Sequence, residues 1–488
     1  MAAVQRSSAY AHVLRRSLGE VSPREYIEDV YAEGSRQLKV NQKKVIHRQG
    51  MNVWHMDLDP VENQYLLVGA GTGALRIFDL SIFDTIPLPE DSSSIKPMCT
   101  VKPLKRPRDV RTFDAAQTQN LPGHAAGITA VQWYPVDNGM FITGSQDTTV
   151  KLWDANEMDV ASAFCLHDVV HAACFSPCGS TLLAVGTDHA DVRLCDVAIG
   201  ASTHRLLGHR AAVRCIAWSL SDEFHLATGA ADGSIRLWDI RRSGASACLM
   251  VLNQDGLPDI PRHEAAVRVP KRPRHNDPHH CSAENHGTSA QAHTQAIQSL
   301  RYTPDGRCLV SSGGDNCMRL WNASTGVHLF HNYGLIQCKG PRPVTIGLVQ
   351  EGGSDSTMVY HPVGSNGSVV SHLLHGVNHS TPCTKLTAHY SRVTSCIYRP
   401  TTRELITGGE DGLIMLWTPP DIKVDPRHGR HDHEESLPSP RSTTAAQDED
   451  AWSDDDRAAD GGGDVFVPPI LQRSDTDGGF ASAGEFRI

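Results

Sequence analysis

Four histidine–aspartate pairs are the residues of this 488-residue chain whose types and spacing could do chemistry. Imidazole and carboxylate groups close together serve in general acid–base catalysis, and both are ligands for zinc. In every pair the histidine precedes the aspartate by 22 or 23 residues. The pairs are His124 and Asp147, His209 and Asp232, His293 and Asp315, and His389 and Asp411. Gathered in one place, these residues would form a catalytic or metal-binding set.

The same two further residues accompany each pair, which indicates that the pairs lie apart. A hydroxyl residue stands four positions before each aspartate, and a tryptophan stands six positions after it. The hydroxyl residues are Thr143, Thr228, Ser311 and Thr407, and the tryptophans are Trp153, Trp238, Trp321 and Trp417. Agreement of these positions in four places marks an internal repeat. We therefore interpret the pairs as structural residues of separate repeats, and we expect no catalytic residue, no metal site and no cofactor.

The residues between the markers have the pattern of a small antiparallel sheet. Ile128–Trp133 has the β-branched and apolar alternation of a strand, and residues 303–306 read Thr-Pro-Asp-Gly, a turn sequence. A four-stranded sheet cannot bury both of its faces alone, so such units stack radially around an axis. Within a unit the four marker side chains can form one hydrogen-bonded chain that satisfies buried polar atoms. The pattern resembles the WD-repeat family over most of residues 40–418.

Three degenerate units complete a ring of seven. Phe78 replaces the tryptophan of the first unit, and Cys195 replaces that of the third. The 96 residues between the last two tryptophans leave room for one more unit near Val344–Leu374, which has lost all four markers. The sequence thus predicts an all-β fold, a seven-bladed WD-repeat β-propeller. We expect Leu38–Ile46 to supply the outer strand of the last blade and so join the two ends of the ring.

Segments of different composition flank and interrupt the propeller. The predicted boundaries are 1–37 for a short N-terminal helical segment, 38–420 for the propeller and 421–488 for a disordered acidic tail. Loop insertions occupy residues 81–120 and 252–291. Each insertion contains Lys-Arg-Pro-Arg, at Lys105–Arg108 and at Lys271–Arg274. These clusters fit either recognition for nuclear import or a solvated run of charge.

Composition limits the classes of function. The net charge is −10, and the tail holds sixteen acidic against seven basic residues, so the body is close to neutral. A neutral body lacks the basic footprint with which proteins bind nucleic acid. No stretch approaches 18 uninterrupted apolar residues, and the first ten residues have no apolar run, so we expect neither a membrane span nor a secretory signal. The thirteen cysteines form no regular framework and suit a reducing compartment.

Two short amphipathic helices are predicted before the propeller. Ser22-Pro23-Arg24-Glu25 supplies the N-cap, the first helical position and the capping-box residue of the second helix. The apolar faces consist of Tyr10, Val13, Leu14 and Leu18 in the first helix and of Tyr26, Ile27 and Val30 in the second. Such faces must be buried, either on the chain's own propeller or in a groove of a partner.

One repeat carries an additional arginine. The sequence Trp238-Asp239-Ile240-Arg241 extends the Trp-Asp pair, whereas the repeat that contains Trp153 has no arginine there. The planar guanidinium group suits a fixed polar pocket on a partner surface. This W-D-x-R pattern resembles that of the substrate receptors of cullin-RING ubiquitin ligases. The resemblance implies that Arg241 contacts the propeller adaptor of the ligase, which is the large subunit of the damage-specific DNA-binding protein. Trp238 and Asp239 would support the arginine, and the N-terminal helices would bind the same adaptor.

Local sequence narrows the resemblance further. Segments similar to WD-repeat proteins of the Cockayne syndrome group A family include residues 131–135, 192–196, 318–322 and 449–453. The resemblance covers about residues 10–455, and the two insertions and the long tail point to a plant or algal member. It implies a nuclear, non-enzymatic substrate receptor in transcription-coupled nucleotide-excision repair. Its partners would be the adaptor and cullin-RING ligase on one side and stalled RNA polymerase and repair factors on the other, with no direct contact to nucleic acid or membrane.

Two other classes of function are open at this point. A general nuclear scaffold for chromatin or signalling complexes would show the same propeller and would not need Arg241. A propeller hydrolase would need acidic or histidine side chains from several blades that converge on the axial channel. We expect the polar residues of the repeats to face the blades instead, which argues against the hydrolase.

Overall fold

The computed structural model describes nine stretches of the chain, which contain nearly all of the predicted repeats. They are residues 17–19, 34–47, 52–85, 96–104, 121–261, 290–350, 357–364, 366–375 and 382–419. Both Lys-Arg-Pro-Arg clusters, the acidic tail and, apart from Leu18, the apolar positions of the two predicted helices lie outside the described residues. Among the described residues, no helix is long and apolar enough to cross a membrane.

Antiparallel sheets follow one another along the chain, and each sheet is one blade. Blade 1 contains β2 (Val53–Leu58), β3 (Tyr65–Ala70), β4 (Leu75–Asp79) and β5 (Cys99–Val101), with a one-turn helix α1 (Ile82–Thr85) before β5. Blade 2 contains β6 (Ile128–Trp133), β7 (Met140–Ser145), β8 (Thr149–Asp154) and β9 (Asp159–Cys165). Blade 3 contains β10 (Val170–Phe175), β11 (Leu182–Thr187), β12 (Asp191–Asp196) and β13 (Ala201–Leu207).

The remaining blades follow the same order. Blade 4 contains β14 (Val213–Trp218), β15 (His225–Ala230), β16 (Ile235–Asp239) and β17 (Cys248–Val251), with a 3-10 helix at Ala245–Ala247. Blade 5 contains β18 (Ile297–Tyr302), β19 (Cys308–Gly313) and β20 (Met318–Asn322). Blade 6 contains β21 (Gly347–Gln350), β22 (Thr357–Val363), β23 (Ser368–Leu373) and β24 (Thr384–Thr387). Blade 7 contains β25 (Val393–Arg399), β26 (Glu404–Gly409), β27 (Leu413–Thr418) and β1 (Lys39–His47).

This arrangement is the predicted seven-bladed propeller. The first strand of each blade borders the axis, and the chain then moves outward strand by strand. The repeat histidines and the turns between second and third strands lie on one face of the ring, which we call the upper face. The loops between first and second strands and the ends of the third strands lie on the opposite, lower face. Arg241, two residues after β16, is therefore on the lower face.

The N-terminal part of the chain closes the ring, as the sequence predicts. β1 pairs antiparallel with β27, and Lys39 lies opposite Thr418 while His47 lies opposite Leu413. Leu38 and Ile46 are buried in blade 7. The first and last strands of the propeller thus belong to one sheet, so the ring is held closed by backbone hydrogen bonds as well as by packing.

Apolar side chains fill the spaces between neighbouring blades. One cluster joins Leu67 and Leu75 of blade 1 to Ile128, Val131 and Trp153 of blade 2, and comparable clusters recur around the ring. The second strand of every blade is buried along nearly its whole length. Both faces of each sheet are covered by a neighbour, so successive residues of these strands are buried instead of alternating between buried and exposed.

Blade 6 lies where the sequence left room for a hidden unit, and it uses different residues at the marker positions. His372 lies opposite Val359 in the sheet, as each repeat tryptophan lies opposite the corresponding residue of its second strand. His361, two residues after Val359, stands where the other units have their hydroxyl residue. The turn of this blade keeps Gly367 with φ of +63°, because a Cβ there would lie 2.1 Å from the carbonyl oxygen of His389 in the next blade.

Candidate protein-interaction site

The four marker residues of a repeat lie together inside their blade. In blade 2, His124 Nδ1 is 2.9 Å from Asp147 Oδ2 and His124 Nε2 is 2.6 Å from Thr143 Oγ1, while Trp153 Nε1 donates to Thr143 Oγ1 over 2.8 Å. The same contacts recur in blades 5 and 7. In blade 4 the hydroxyl of Ser234 is inserted between His209 and Asp232. Each set ties an upper-face loop to the second and third strands.

The environment of these sets keeps the aspartates ionised. Burial opposes ionisation of Asp147, but the hydrogen bond and charge of His124 hold the pKa of this carboxyl well below its usual range. Burial and the charge of Arg236 lower the pKa of His209 to about 3, against the opposite effect of Asp232. Since each pair belongs to a separate blade, the pairs do not converge on one centre. No group of three or more potential metal ligands occurs among the described residues.

The marker residues face the blades, but other titratable side chains converge on the axis. The first strands enclose a cavity of about 170 Å³ whose lining includes His55, Asp57, His171, Arg214 and Arg301. None of these residues belongs to the repeat markers, so the repeat pattern did not point to them. Their position in the first strands is the only feature of the sequence that could have indicated them.

Two of the axial residues connect neighbouring blades. Asp57 of blade 1 accepts a hydrogen bond from the backbone amide of Trp133 over 2.8 Å, and His55 accepts one from that of Val131 over 3.3 Å. Burial raises the pKa of Asp57 to about 7, and burial together with Arg301 lowers the pKa of His55 to about 4. Both side chains pair with amides at the inner edge of blade 2, which gives them a structural role.

Arg241 is held in one orientation on the lower face. Its Nε donates to Asp239 Oδ1 and its Nη2 to Asp239 Oδ2, both over 2.9 Å, and its backbone amide donates to Oδ1 over 3.0 Å. The guanidinium carbon lies 4.7 Å from the centre of the Phe224 ring. Asp239 is buried, whereas the Arg241 side chain is 59% exposed. Bidentate pairing and stacking thus fix an exposed cation before any partner binds.

The residues around Arg241 extend this surface. The side-chain hydrogen bond from Arg241 lowers the pKa of Asp239, which keeps the carboxylate charged beneath the arginine. Leu220, on the adjoining loop of blade 4, is 52% exposed, and the hydroxyl of Ser219 accepts backbone bonds that order this loop. Trp238 is completely buried and donates to Thr228, so it anchors the end of β16. We call Leu220, Phe224 and Arg241 the Arg241 surface.

The predicted N-terminal helices cannot be placed beside this surface. Leu18 is described and exposed, while Tyr10, Val13, Leu14, Tyr26, Ile27 and Val30 lie outside the described residues. The chain just before β1 does pack on the propeller, which the sequence did not indicate. The backbone oxygen of Ser35, itself buried, accepts a hydrogen bond from the Tyr360 hydroxyl, and that of Arg36 accepts one from Thr384.

Comparison with known proteins agrees with the repeat structure. Four segments match the family model described as WD domain, G-beta repeat: residues 115–154, 200–239, 286–322 and 380–418. The chain contains WD40 repeats. The matched segments end with the third strands of blades 2, 4, 5 and 7, which are the blades that keep the repeat tryptophan. The fold is one that typically serves as a scaffold for other proteins.

Individual relatives carry the same repeats. WD repeat-containing protein ATCSA-1 of Arabidopsis thaliana is 29% identical over 453 residues, which is 84% of this chain and 91% of the relative. Radiation-sensitive protein 28 of Saccharomyces cerevisiae is 26% identical over 43% of this chain and 40% of its own length. A ribosome biogenesis protein WDR12 homolog of Drosophila mojavensis is 34% identical over only 25% of this chain. The likeness to the Arabidopsis protein extends along most of both chains, which is consistent with a plant relative of the Cockayne syndrome group A type.

Proposed function

We propose that this WD40-repeat chain is the substrate-recognition subunit of a nuclear cullin-RING ubiquitin ligase in transcription-coupled nucleotide-excision repair. Its Arg241 surface would bind the propeller adaptor of the ligase, the large subunit of the damage-specific DNA-binding protein. Other faces would bind stalled RNA polymerase and repair factors. The ubiquitin-transfer chemistry belongs to other subunits in this proposal, so the chain itself acts without catalysis.

The geometry of Arg241 is the observation that carries the proposal. An exposed arginine usually loses side-chain entropy when it binds, and a preorganised one loses less. Here Asp239 and Phe224 hold the guanidinium group at the surface, and Leu220 is exposed on the same loop as Phe224. A fixed cation beside apolar area is the composition of an interface hot spot. In the repeats of blades 2, 5 and 7, the residue three positions after the tryptophan is not an arginine.

The relatives support the biological setting. The chain resembles ATCSA-1 of Arabidopsis over most of its length, and the yeast relative is named for radiation sensitivity. The yeast name fits a protein that acts in the response to damaged DNA. The shorter matches to ribosome biogenesis proteins cover about a quarter of this chain and reflect shared repeats.

Adaptor binding by purified full-length chain tests the proposal. We expect Arg241→Ala to weaken the affinity for the adaptor by at least about tenfold, and Arg241→Glu to weaken it further by charge reversal. Arg210→Ala is the matched control, because Arg210 is also exposed but lies on the upper face, in the loop that follows His209 of the same blade. The affinities are measured by biolayer interferometry, and the Tm of each variant is checked.

The outcomes separate two functions. A selective loss in the Arg241 variants, with unchanged Tm, supports the ligase role. Adaptor affinity that stays at the wild-type value in Arg241→Glu would contradict it and would leave the chain as a general nuclear scaffold.

A further inference from the structure

The sequence contains two Asn-Gly dipeptides, and their surroundings in the structure differ. Asn138-Gly139 lies in the lower-face loop between β6 and β7, whereas Asn366-Gly367 lies in the upper-face turn between β22 and β23. In such a dipeptide the backbone nitrogen of the glycine can attack the side-chain amide of the asparagine, because glycine has no Cβ to obstruct the approach. The product is a five-membered cyclic imide. The reaction requires a peptide group that can turn and an acceptor for the amide proton.

The loop around Asn138 leaves both reacting groups unhindered. The Asn138 side chain is half-buried and forms no hydrogen bond with the other described residues. A Cβ at Gly139 would meet one atom from outside its immediate neighbours, Asp137 Oδ1 at 3.4 Å, so no other part of the backbone encloses this glycine. The peptide group between the two residues therefore has room to turn toward the asparagine side chain.

A carboxylate is in place to take the proton. The backbone amide of Gly139 donates a hydrogen bond to Asp137 Oδ1 over 2.9 Å. An acceptor within hydrogen-bond distance of the proton that it removes meets the geometric requirement for a general base. The nitrogen that Asp137 contacts is the one that would attack Asn138.

The second dipeptide is enclosed and has no such carboxylate beside it in the sequence. Gly367 is buried with φ of +63°, and a Cβ there would lie 2.1 Å from the carbonyl oxygen of His389 and 2.8 Å from that of Ser391. Its backbone thus lies against the next blade, and a turn of the peptide group toward Asn366 would disrupt this packing. Serine instead of aspartate precedes Asn366. The two sites therefore provide a comparison within one chain.

We propose that Asn138 is a site of spontaneous deamidation that Asp137 promotes. The Asp137 carboxylate takes the amide proton of Gly139 while the Gly139 nitrogen forms a bond to Asn138 Cγ. The proton then passes to Nδ2 as the bond between Cγ and Nδ2 breaks, so ammonia leaves and Asp137 is ionised again. Water opens the imide at either carbonyl carbon: a hydroxyl group adds to that carbon, and a proton returns to the Gly139 nitrogen. The product at position 138 is aspartate or isoaspartate.

Both products would change the lower face. Each adds a carboxylate beside Asp137, and isoaspartate also lengthens the main chain by one carbon atom. The carbonyl group of Gly139 accepts a hydrogen bond from the amide of Ala155 over 2.8 Å, so the longer chain would disturb the link between this loop and the end of β8. The reaction needs only this chain and water, so the inference is independent of adaptor binding.

Peptide mapping of the full-length chain by mass spectrometry follows both sites in the same sample. The chain is incubated in neutral Hepes buffer, because phosphate ions would themselves act as a base. We expect Asn138 to deamidate at least about tenfold faster than Asn366. Asp137→Ser should slow the reaction at Asn138 by about tenfold or more and make its rate depend more steeply on pH, because hydroxide must then remove the proton. The control Asp305→Ser removes a carboxylate that accepts from a backbone amide in the corresponding loop of blade 5, and it should leave the rate unchanged.

Unfolding of the wild-type chain provides a check that needs no variant. In urea, Asp137 is no longer held at the Gly139 nitrogen and Gly367 is released from the next blade. The rate should therefore fall at Asn138 and rise at Asn366. Equal rates at the two sites in the folded chain, a faster reaction at Asn138 in urea, or an unchanged rate in Asp137→Ser would each overturn the proposal.

Discussion

In blade 2 the hydroxyl group of Thr143 forms hydrogen bonds with two of the other three marker residues, His124 and Trp153. His124 donates from Nδ1 to Asp147, its Nε2 is hydrogen-bonded to the Thr143 hydroxyl, and this hydroxyl accepts from the Trp153 indole. The direction of the first bond follows from the aspartate, because an ionised carboxylate only accepts. A single chain of hydrogen bonds thus runs from a third strand to an upper-face loop, and the Thr149 hydroxyl also donates to Asp147 over 2.6 Å.

Removal of this hydroxyl is therefore costly. We expect Thr143→Val to lower the free energy of unfolding by about 2–4 kcal/mol, because the substitution keeps the shape but leaves a buried indole N–H and a buried imidazole nitrogen unpaired. Urea unfolding measures the change. Thr203→Val is the control, since Thr203 is exposed on β13 and should change stability by less than about 0.5 kcal/mol. Equal effects of the two substitutions would argue against a cooperative network.

Sequence and structure differ most for residues whose partners are distant in the chain. The W-D-x-R pattern identified Arg241, and its bond to Asp239 is local, but the stacking on Phe224 depends on the pairing of β15 with β16. The guanidinium group of Arg342, just before blade 6, stacks on the ring of Trp54 in blade 1 at 3.7 Å, and no local pattern connects residues so far apart. Repetition made the markers visible, whereas a contact that occurs once in the ring leaves no periodic signal.

Blade 6 illustrates the same limit at the scale of an element. Its four strands have the usual order, yet His361 and His372 occupy the positions of the hydroxyl and the tryptophan. The presence of this blade was predictable from spacing, because 96 residues separate Trp321 from Trp417, but the identity of its buried residues was not. Burial lowers the pKa of both histidines to about 4, and for His361 the carbonyl of Pro362 opposes the effect.

These histidines make blade 6 sensitive to acid. Both histidines are neutral in the folded chain. Their pKa values rise from about 4 to about 6.5 on unfolding, so the unfolded chain binds more protons than the folded chain between pH 4 and pH 6.5. Their neutral state stabilises the fold fully above pH 6.5, and this contribution is lost as the pH falls toward 4. We expect the free energy of unfolding to fall by roughly 2 kcal/mol per histidine between pH 7 and pH 4.5.

Variants assign this pH dependence. The double variant His361→Gln and His372→Leu should show a shallower fall in stability between pH 7 and pH 4.5 than the wild type, even if it is less stable throughout. His204→Gln, which changes an exposed histidine on β13, should keep the wild-type slope. Urea unfolding at several pH values gives the slopes. An unchanged slope in the double variant would assign the acid sensitivity to other buried histidines, such as His55 and His209.

At the scale of the whole molecule, closure of the ring depends on β1, which comes before the strands of all seven blades in the sequence but completes the last blade. The prediction for Leu38–Ile46 rested on the need of a last blade for an outer strand, and β1 fills that place. The packing of Ser35 on blade 6 was not predictable, because it depends on a single tyrosine hydroxyl of another blade. The described anchor therefore begins before β1, at about residue 35.

Two truncations separate ring closure from partner binding. Removal of residues 1–33 keeps the anchor and β1, so we expect a Tm within a few degrees of the full chain but weaker binding to the adaptor. Removal of residues 1–47 takes away β1 and should lower the Tm by about 5 °C or more, since each kcal/mol corresponds to about 2–4 °C in a domain of 150–250 residues and to less in a larger one. Differential scanning calorimetry and adaptor titration provide the measurements. A similar Tm for both truncations would show that β1 adds little to the ring.

The pairing of β1 with β27 also has a consequence for biosynthesis. The two strands are separated by about 380 residues, so a ribosome that adds about 5–20 residues per second needs about 20–80 s to deliver the second after the first. During that interval β1 has no strand to bind, and an unpaired strand is a template for aggregation. Its sequence, Lys-Val-Asn-Gln-Lys-Lys-Val-Ile-His, contains three lysines. Charge of this kind discourages association with other nascent chains while the rest of the ring is synthesised.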